Sequence, residues 1–301
     1  MENLLSMTDA KEEVDSILDV ASNLKSGSIN QKVLNDKYLG MIFEKSSTRT
    51  RVSFEVGMHQ LGGIPLYLSS KDLQLGRGEP VEDTARVLSR FLDCIMIRAK
   101  SHETVRDLIK YSDIPIINGL TDKEHPCQTF ADLLTIKEYM GDFNRKFVFV
   151  GDGNNVCNSL LLGAAYTGMD MTVACPEGYE PDKELYDLAV KEAKHTGCEI
   201  NIENDVNKAV EGADILYTDV WVSMGDEQEK EERERIFKDY QINSQLLKQA
   251  NDDAIVMHCL PAIRGQEITA SIMTSKQSAI WDQAENRLHA QKAILYTLLK
   301  D

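Results

Sequence analysis

Short apolar runs alternate with segments of helical spacing along nearly the whole chain, and this alternation constrains the fold more than any other feature. The runs fall at 38–43, 64–68, 94–97 and 113–118 in the first half, and at 146–150, 171–175, 199–202, 214–221 and 254–258 in the second. Helical segments are expected between them, over 48–61, 81–92, 125–140, 154–167 and 183–195, with an amphipathic helix over 8–25 before the first run and another over 286–299 at the end. Strands separated by whole helices cannot pair as hairpins. They pair in parallel through crossovers, with helices covering both faces of the sheet and ligands bound at the carboxyl ends of the strands. The Gly141-Asp142 punctuation divides the pattern. The expected fold class is α/β, as two doubly wound parallel-sheet domains joined by interdomain helices: 1–140, completed by the final helix 286–301, and 141–285. A chain of 301 residues is long enough for each to bury its own core.

Composition excludes several classes. No apolar run approaches the roughly 20 residues of a membrane helix. Residues 1–25 carry acidic groups and helical periodicity where a leader would carry a basic region and an apolar stretch, so the cytoplasm is the expected location and no membrane partner is expected. The six cysteines (94, 127, 157, 175, 198, 259) are scattered with no C-x-x-C pair, which argues for reduced thiols and against a zinc site or a disulfide framework. The net charge of -16, from 33 basic and 49 acidic residues, disfavours nucleic acid; an anionic substrate would need a local basic focus.

Such a focus follows the first run. In Phe43-Glu44-Lys45-Ser46-Ser47-Thr48-Arg49-Thr50-Arg51, Ser47 can cap the next helix. The unpaired N–H groups and dipole of the first turn then point the same way as three hydroxyls (Ser47, Thr48, Thr50), with Arg49 and Arg51 in the same turn. Arginine meets a phosphate with two parallel donors where lysine offers a point charge, so this helix start fits a phosphate better than a solvated cap.

Other polar residues sit at strand ends or helix starts. Arg98 ends the 94–97 run, as a site residue or as a surface arginine opening a loop. Gln74 lies in a polar, glycine-punctuated loop, 71–79. His125 and Gln128, in His125-Pro126-Cys127-Gln128, are one helical turn apart and can face one ligand, although a histidine there can equally be only a cap. Gly151-Asp152-Gly153-Asn154-Asn155-Val156 resembles half a dinucleotide fingerprint but has Val156 at the third glycine, which leaves a nicotinamide enzyme as a rival and the asparagines as candidate carboxylate or amide ligands. Asp219, followed by Ser223-Met224-Gly225, suits a ligand's ammonium group, or is an ordinary turn aspartate. Cys259, in His258-Cys259-Leu260-Pro261, offers a thiol to a site or is a buried apolar cysteine. The charge run 226–238 reads as a solvated helix face. Arg287 and His289 lie near the expected start of the final helix, where a cation opposes the dipole and so hints at a ligand or an acidic partner.

Taken together, the stretches S-T-R-T, H-P-C-Q, D-x-x-x-S-M-G, H-C-L-P and N-R-x-H, in this order from Phe43 to His289, resemble the aspartate and ornithine carbamoyltransferase family, and its ornithine branch in particular. The resemblance implies a first domain for carbamoyl phosphate, a second for L-ornithine, and a homotrimer. It assigns Ser47, Thr48, Arg49 and Thr50 to the phosphate; Arg98, His125 and Gln128 to the carbamoyl end; Gln74 to a neighbouring subunit's site; and Arg287 to carbamoyl phosphate. It puts Asn155, Asp219, Ser223 and the Met224 backbone on ornithine, and Cys259 and Leu260 beside the reacting centre. The glycine turn here is the short form, and either Asn154 or Asn155 can make the main contact. The implied chemistry is attack of the deprotonated side-chain amine on the carbamoyl carbon, with Arg98, His125 and Thr50 stabilising the oxyanion and Asp219 and Cys259 managing the amine's proton. It requires no metal and no cofactor. The rivals are a carbamoyltransferase for another amine (putrescine or acetylornithine), the nicotinamide enzyme, and a non-catalytic sensor, which would be expected to lack one of the clamp residues.

Overall fold

The structure, a computed structural model, describes residues 1–29, 32–222 and 227–300. It divides into two compact units, Met1–Leu134 with Glu285–Asp301, and Thr135–Ala284.

In the first unit a 3-10 turn (Met7–Glu13), capped by Ser6, leads into α1 (Val14–Ser26), which buries Val14, Ile17, Leu18, Ala21 and Leu24 and ends at the left-handed Gly27. Then follow β1 (Tyr38–Phe43), α2 (Thr48–Gln60), β2 (Ile64–Ser69), α3 (Val81–Leu88), β3 (Cys94–Arg98), α4 (His102–Tyr111), β4 (Ile116–Leu120) and α5 (Pro126–Met140). The helix α4 is not anticipated above; its signals are the cap Ser101 and the buried pair Val105 and Leu108, three residues apart. The four strands pair in parallel in the order β2-β1-β3-β4. Ile42, Ile95 and Ile97 pack in one cluster with Ala85, Leu92, Val105 and Leu108, all fully or nearly fully buried. Because β3 lies on the opposite side of β1 from β2, the order reverses between β1 and β3. Such a reversal opens a crevice at the carboxyl ends, where the two crossovers part to opposite faces. Phe43 and Arg98 are register partners at that end. Beside it the β3–β4 register slips by one residue, at Gly119. A Cβ on Gly119 would fall 2.5 Å from the Met96 sulfur and 3.2 Å from the Ile97 carbonyl oxygen, so a larger residue at the bulge would have to push Met96 aside and crowd the β3 backbone.

The second unit repeats the plan with β5 (Lys146–Val150), α6 (Asn155–Thr167), β6 (Asp170–Ala174), α7 (Lys183–Thr196), β7 (Ile200–Glu203), α8 (Val206–Val210), β8 (Ile215–Thr218), α9 (Lys230–Ile236), α10 (Ser244–Leu247), β9 (Ile255–His258) and α11 (Ala270–Met273). Its five strands are parallel in the order β7-β6-β5-β8-β9, reversing between β5 and β8, whose last residues Val150 and Thr218 are register partners. Phe147, Phe149 and Tyr217 stack within this sheet, and Trp221, Phe237 and Tyr240 form an aromatic cluster in its core.

The last helix, α12 (Ile280–Leu299), starts six residues earlier than its apolar stripe suggests. The division between units falls inside α5, after Leu134, instead of at Gly141, and again inside α12. Periodicity detects helices, not the point along a helix at which its contacts change. Among the described residues no helix is long and apolar enough to cross a membrane.

Candidate active site

In the first unit the reversal point gathers the basic residues. Ser47 is extended (φ -157°, ψ 117°) and caps α2: its hydroxyl accepts from the Thr50 N–H at 3.3 Å and donates to the Thr50 hydroxyl at 3.1 Å. Thr50 is fully buried, Arg49 half-buried and Thr48 exposed. From the end of β3 comes Arg98, and from the start of α5 come His125 and Gln128, all buried. Arg287 joins them from α12: its Nη1 donates to the Gln128 side-chain oxygen Oε1 at 2.6 Å and its Nη2 to the Thr50 hydroxyl at 2.9 Å, with His125 Nε2 3.4 Å from Nη1. A guanidinium only donates, so His125 Nε2 faces it as an acceptor and the imidazole is neutral. The electrostatics agree. Burial, then the charges of Arg287, Arg98 and Arg49, hold His125 well below the usual imidazole range. The same three charges that suit a dianionic ligand therefore keep this histidine uncharged near neutral pH.

Two expectations change here. Arg51 shares the turn with Arg49 but faces outward, on Glu55 at 3.3 Å and over the Tyr67 ring at 3.9 Å, because successive helical positions two apart lie on different faces. Arg287 is not at a helix start: α12 begins at Ile280, so the unfavourable dipole argument does not apply, and the anion signal comes from its neighbours instead. Gln74 lies in a short 3-10 turn (Gln74–Arg77) with its side chain exposed. Cys127, inside H-P-C-Q, donates to the Asn118 carbonyl at 3.3 Å and is pushed by burial up to about 12, which removes its thiolate from the chemistry.

In the second unit Asn154 and Asp219 follow β5 and β8, the strands that flank the reversal, and bond to each other at 2.8 Å through the Asn154 amide nitrogen. The Asn154 oxygen caps α6, accepting from Val156 and Cys157. Asn154 is thus committed at both ends of its amide, whereas Asn155 opens the helix half-buried. The second glycine of G-D-G has a local cause: a Cβ on Gly153 would sit 2.2 Å from the Pro181 nitrogen and 2.4 Å from the Glu180 carbonyl carbon. Ser223 and Met224 lie outside the described residues.

At the end of β9, paired with β8, Cys259 is buried close to Asp219. One ligand atom each of Asp219, His258 and Cys259 lies within 4.8 Å of the others, the one such group among the described residues. His258, however, has both ring nitrogens engaged. Its Nδ1 accepts from the Leu260 N–H at 2.9 Å, which puts the proton on Nε2, facing Glu267 at 3.0 Å. To ligate a metal it would have to release one of these bonds, so the group is better described as an acid beside a thiol, with His258 bracing the loop. Leu260, held in that way, is left-handed (φ 58°). The charge run also holds one inward-turned residue, half-buried. Most of α9 is solvated, but Arg233 turns in to Asp152 at 2.9 Å and to the Trp221 carbonyl at 3.1 Å.

A cluster of buried basic and polar side chains thus lies at one reversal point, and an acid–amide pair beside a thiol at the other. Comparison with known proteins gives the class. Residues 2–138 match the model for "Aspartate/ornithine carbamoyltransferase, carbamoyl-P binding domain" and residues 144–298 that for the Asp/Orn binding domain. The chain belongs to the aspartate/ornithine carbamoyltransferase family. Within it, the relatives are ornithine carbamoyltransferases: that of Methanosphaera stadtmanae is 77% identical with both chains covered in full, and that of Methanobrevibacter smithii 60% identical over the same extent. The solved structure of the Pyrococcus furiosus enzyme superposes with a TM-score of 0.96 at 50% identity, covering 99% of this chain and 97% of that one.

Proposed function

We propose that the chain transfers the carbamoyl group of carbamoyl phosphate to the side-chain amine of L-ornithine, giving L-citrulline and phosphate. The observation that carries this reading is the convergence of Thr50, Arg98, His125, Gln128 and Arg287 on the capped start of α2. Ser47, Thr48, Arg49 and Thr50 take the phosphate, with backbone N–H groups and hydroxyls supplementing the arginines. Arg98, His125 and Thr50 donate to the carbamoyl oxygen as it becomes an oxyanion; a neutral His125 gives one hydrogen bond, from Nδ1–H while Nε2 accepts from Arg287 or from Nε2–H of the other tautomer once Arg287 turns to the anion, without placing a fourth cation in the pocket. The amine of ornithine attacks the carbonyl carbon, and the C–O bond to phosphate breaks with the charge leaving onto a group already clamped by Arg49. In the second unit Asn155, Asp219, Ser223 and the Met224 backbone hold the amino-acid end, Asp219 and Cys259 handle the amine's proton, and Leu260 lies near the reacting centre.

The active form we infer is a cytoplasmic homotrimer whose sites are each completed by Gln74 of a neighbour. An exposed apolar strip supports association: the edge strand β2 and the adjoining α2 present Ile64, Leu66, Tyr67, Val52 and Val56 to solvent. Citrulline formation measured in parallel with ornithine, putrescine and aspartate tests the activity; comparable kcat/KM for ornithine and putrescine would sink it. Sharing of the site is tested by refolding Gln74→Ala together with Arg98→Ala. In a cyclic trimer an equal mixture should rebuild about a quarter of the sites. A mixture as inactive as either parent, with each variant assembling normally, would place the whole site in one chain.

A further inference from the structure

Gln128 is a clamp residue whose side chain presents a donor or an acceptor depending on which way its amide is turned. Which end faces the site decides what it can recognise. Gln128 and Asp132 lie one turn apart on α5 and both are fully buried. The Gln128 Nε2 donates to Asp132 Oδ1 at 2.7 Å, and the Gln128 carbonyl oxygen accepts from Arg287 at 2.6 Å. The turn of the amide is therefore fixed from both sides: a carboxylate accepts and a guanidinium donates, so a flipped amide would face oxygen to oxygen at one end and N–H to N–H at the other. Arg287 alone does not suffice, because a guanidinium that moves to an incoming anion releases its hold. Asp132, which lies behind Gln128 on the same helix, keeps its hold.

We propose that Asp132 is a positioning residue for the transferred group: by holding the Gln128 amide nitrogen it turns the Gln128 oxygen to the ligand, and so selects a carbamoyl group over an acetyl group. The inference rests on the assignment of Gln128 to the carbamoyl end. An oxygen there accepts from the carbamoyl –NH2 and has nothing to accept from a methyl group in the same place, so the two acyl phosphates are distinguished at a buried polar atom, where discrimination is strong. Neither composition nor motif spacing singles out Asp132; the signal in the sequence is an acid four residues after the glutamine of H-P-C-Q.

The test is calorimetric binding of carbamoyl phosphate and acetyl phosphate to the intact protein. In Asp132→Asn the neighbour can donate or accept, and the amide is released. Carbamoyl phosphate should weaken about tenfold, the worth of one hydrogen bond, while acetyl phosphate changes less than about twofold. In the double variant Gln128→Glu with Asp132→Asn the total charge is that of Asp132→Asn plus one acid, equal to the parent's. The new amide at position 132 would have to donate, and an acceptor faces the ligand again, so the preference ratio should return to within about threefold of the parent. Equal weakening of both ligands in Asp132→Asn, or a double variant with no preference, overturns the proposal. If Asp132→Asn does not fold, the double variant alone decides by the same ratio. Gln128→Met separates the two levels. If it abolishes the preference and Asp132→Asn does not, only the role of Asp132 fails; if it leaves the preference intact, the assignment of Gln128 fails and the inference with it.

Discussion

Replacing Arg287 by lysine keeps the charge and removes the fork. In the structure the guanidinium spans two acceptors, the Gln128 oxygen at 2.6 Å and the Thr50 hydroxyl at 2.9 Å. An ammonium on a flexible stem occupies one point between them and reaches one. Thr50 retains the bond donated by Ser47, so the deficit falls on Gln128 or, with ligand present, on the anion. One hydrogen bond to a charged group is worth about 1.5–3 kcal/mol, so kcat/KM for carbamoyl phosphate should fall roughly 10- to 150-fold. The pKa of His125, followed by NMR, separates geometry from charge. Arg287 is the largest of the charges that hold it down. Arg287→Lys should leave that pKa nearly where it is, whereas Arg287→Met should let it climb, still short of the ordinary 6.5 because burial is the largest cause and persists. Steady-state kinetics within about threefold of the parent in a stable Arg287→Lys protein, or an unmoved His125 in Arg287→Met, would refute the clamp as drawn.

Arg49→Lys should lose most activity with carbamoyl phosphate varied, whereas Arg51→Lys, whose parent faces Glu55 and Tyr67, should stay within about twofold; equal losses would show that Arg51 also reaches the anion. Asp219→Asn should raise the KM for ornithine far more than that for carbamoyl phosphate, and an unchanged ornithine KM would remove Asp219 from that pocket. Burial and the neighbouring arginines depress His125, so the unfolded chain binds more protons between the folded pKa and 6.5. Its contribution to stability is complete above about 6.5 and is lost as pH falls through the folded value; thermal melts from pH 7.5 to 4.5 should therefore fall less steeply for His125→Gln than for the parent. Gly153→Ala should destabilise the protein by several kcal/mol, because the new methyl meets backbone that no rotamer can move; a melting temperature within about 2 °C of the parent would contradict the packing of that turn.

Local order was written in the chain. Among the described residues, the short apolar runs marked eight of the nine strands to within two residues at their starts, with 113–118 beginning three residues late at Ile116, and the polar residues that follow those runs sit at the carboxyl ends of the parallel strands. Chemistry could be read the same way wherever it is local: Ser47 as a cap three residues before Thr50, and His125 and Gln128 one turn apart. Tertiary structure decided everything that depends on a partner distant in sequence. Periodicity says that β1 and β3 are strands, but only their pairing sets Phe43 against Arg98, and only the pairing of β5 with β8 brings Asn154 to Asp219. It turned Arg51 away and brought Arg287 in, from a helix interior that sequence had read as a helix start. It also chose which of the two asparagines caps α6, and which end of the Gln128 amide faces Arg287. The reason is physical: propensity and period act over one or two turns of chain, whereas the direction of a buried polar group is set by whichever donor or acceptor folding places opposite it.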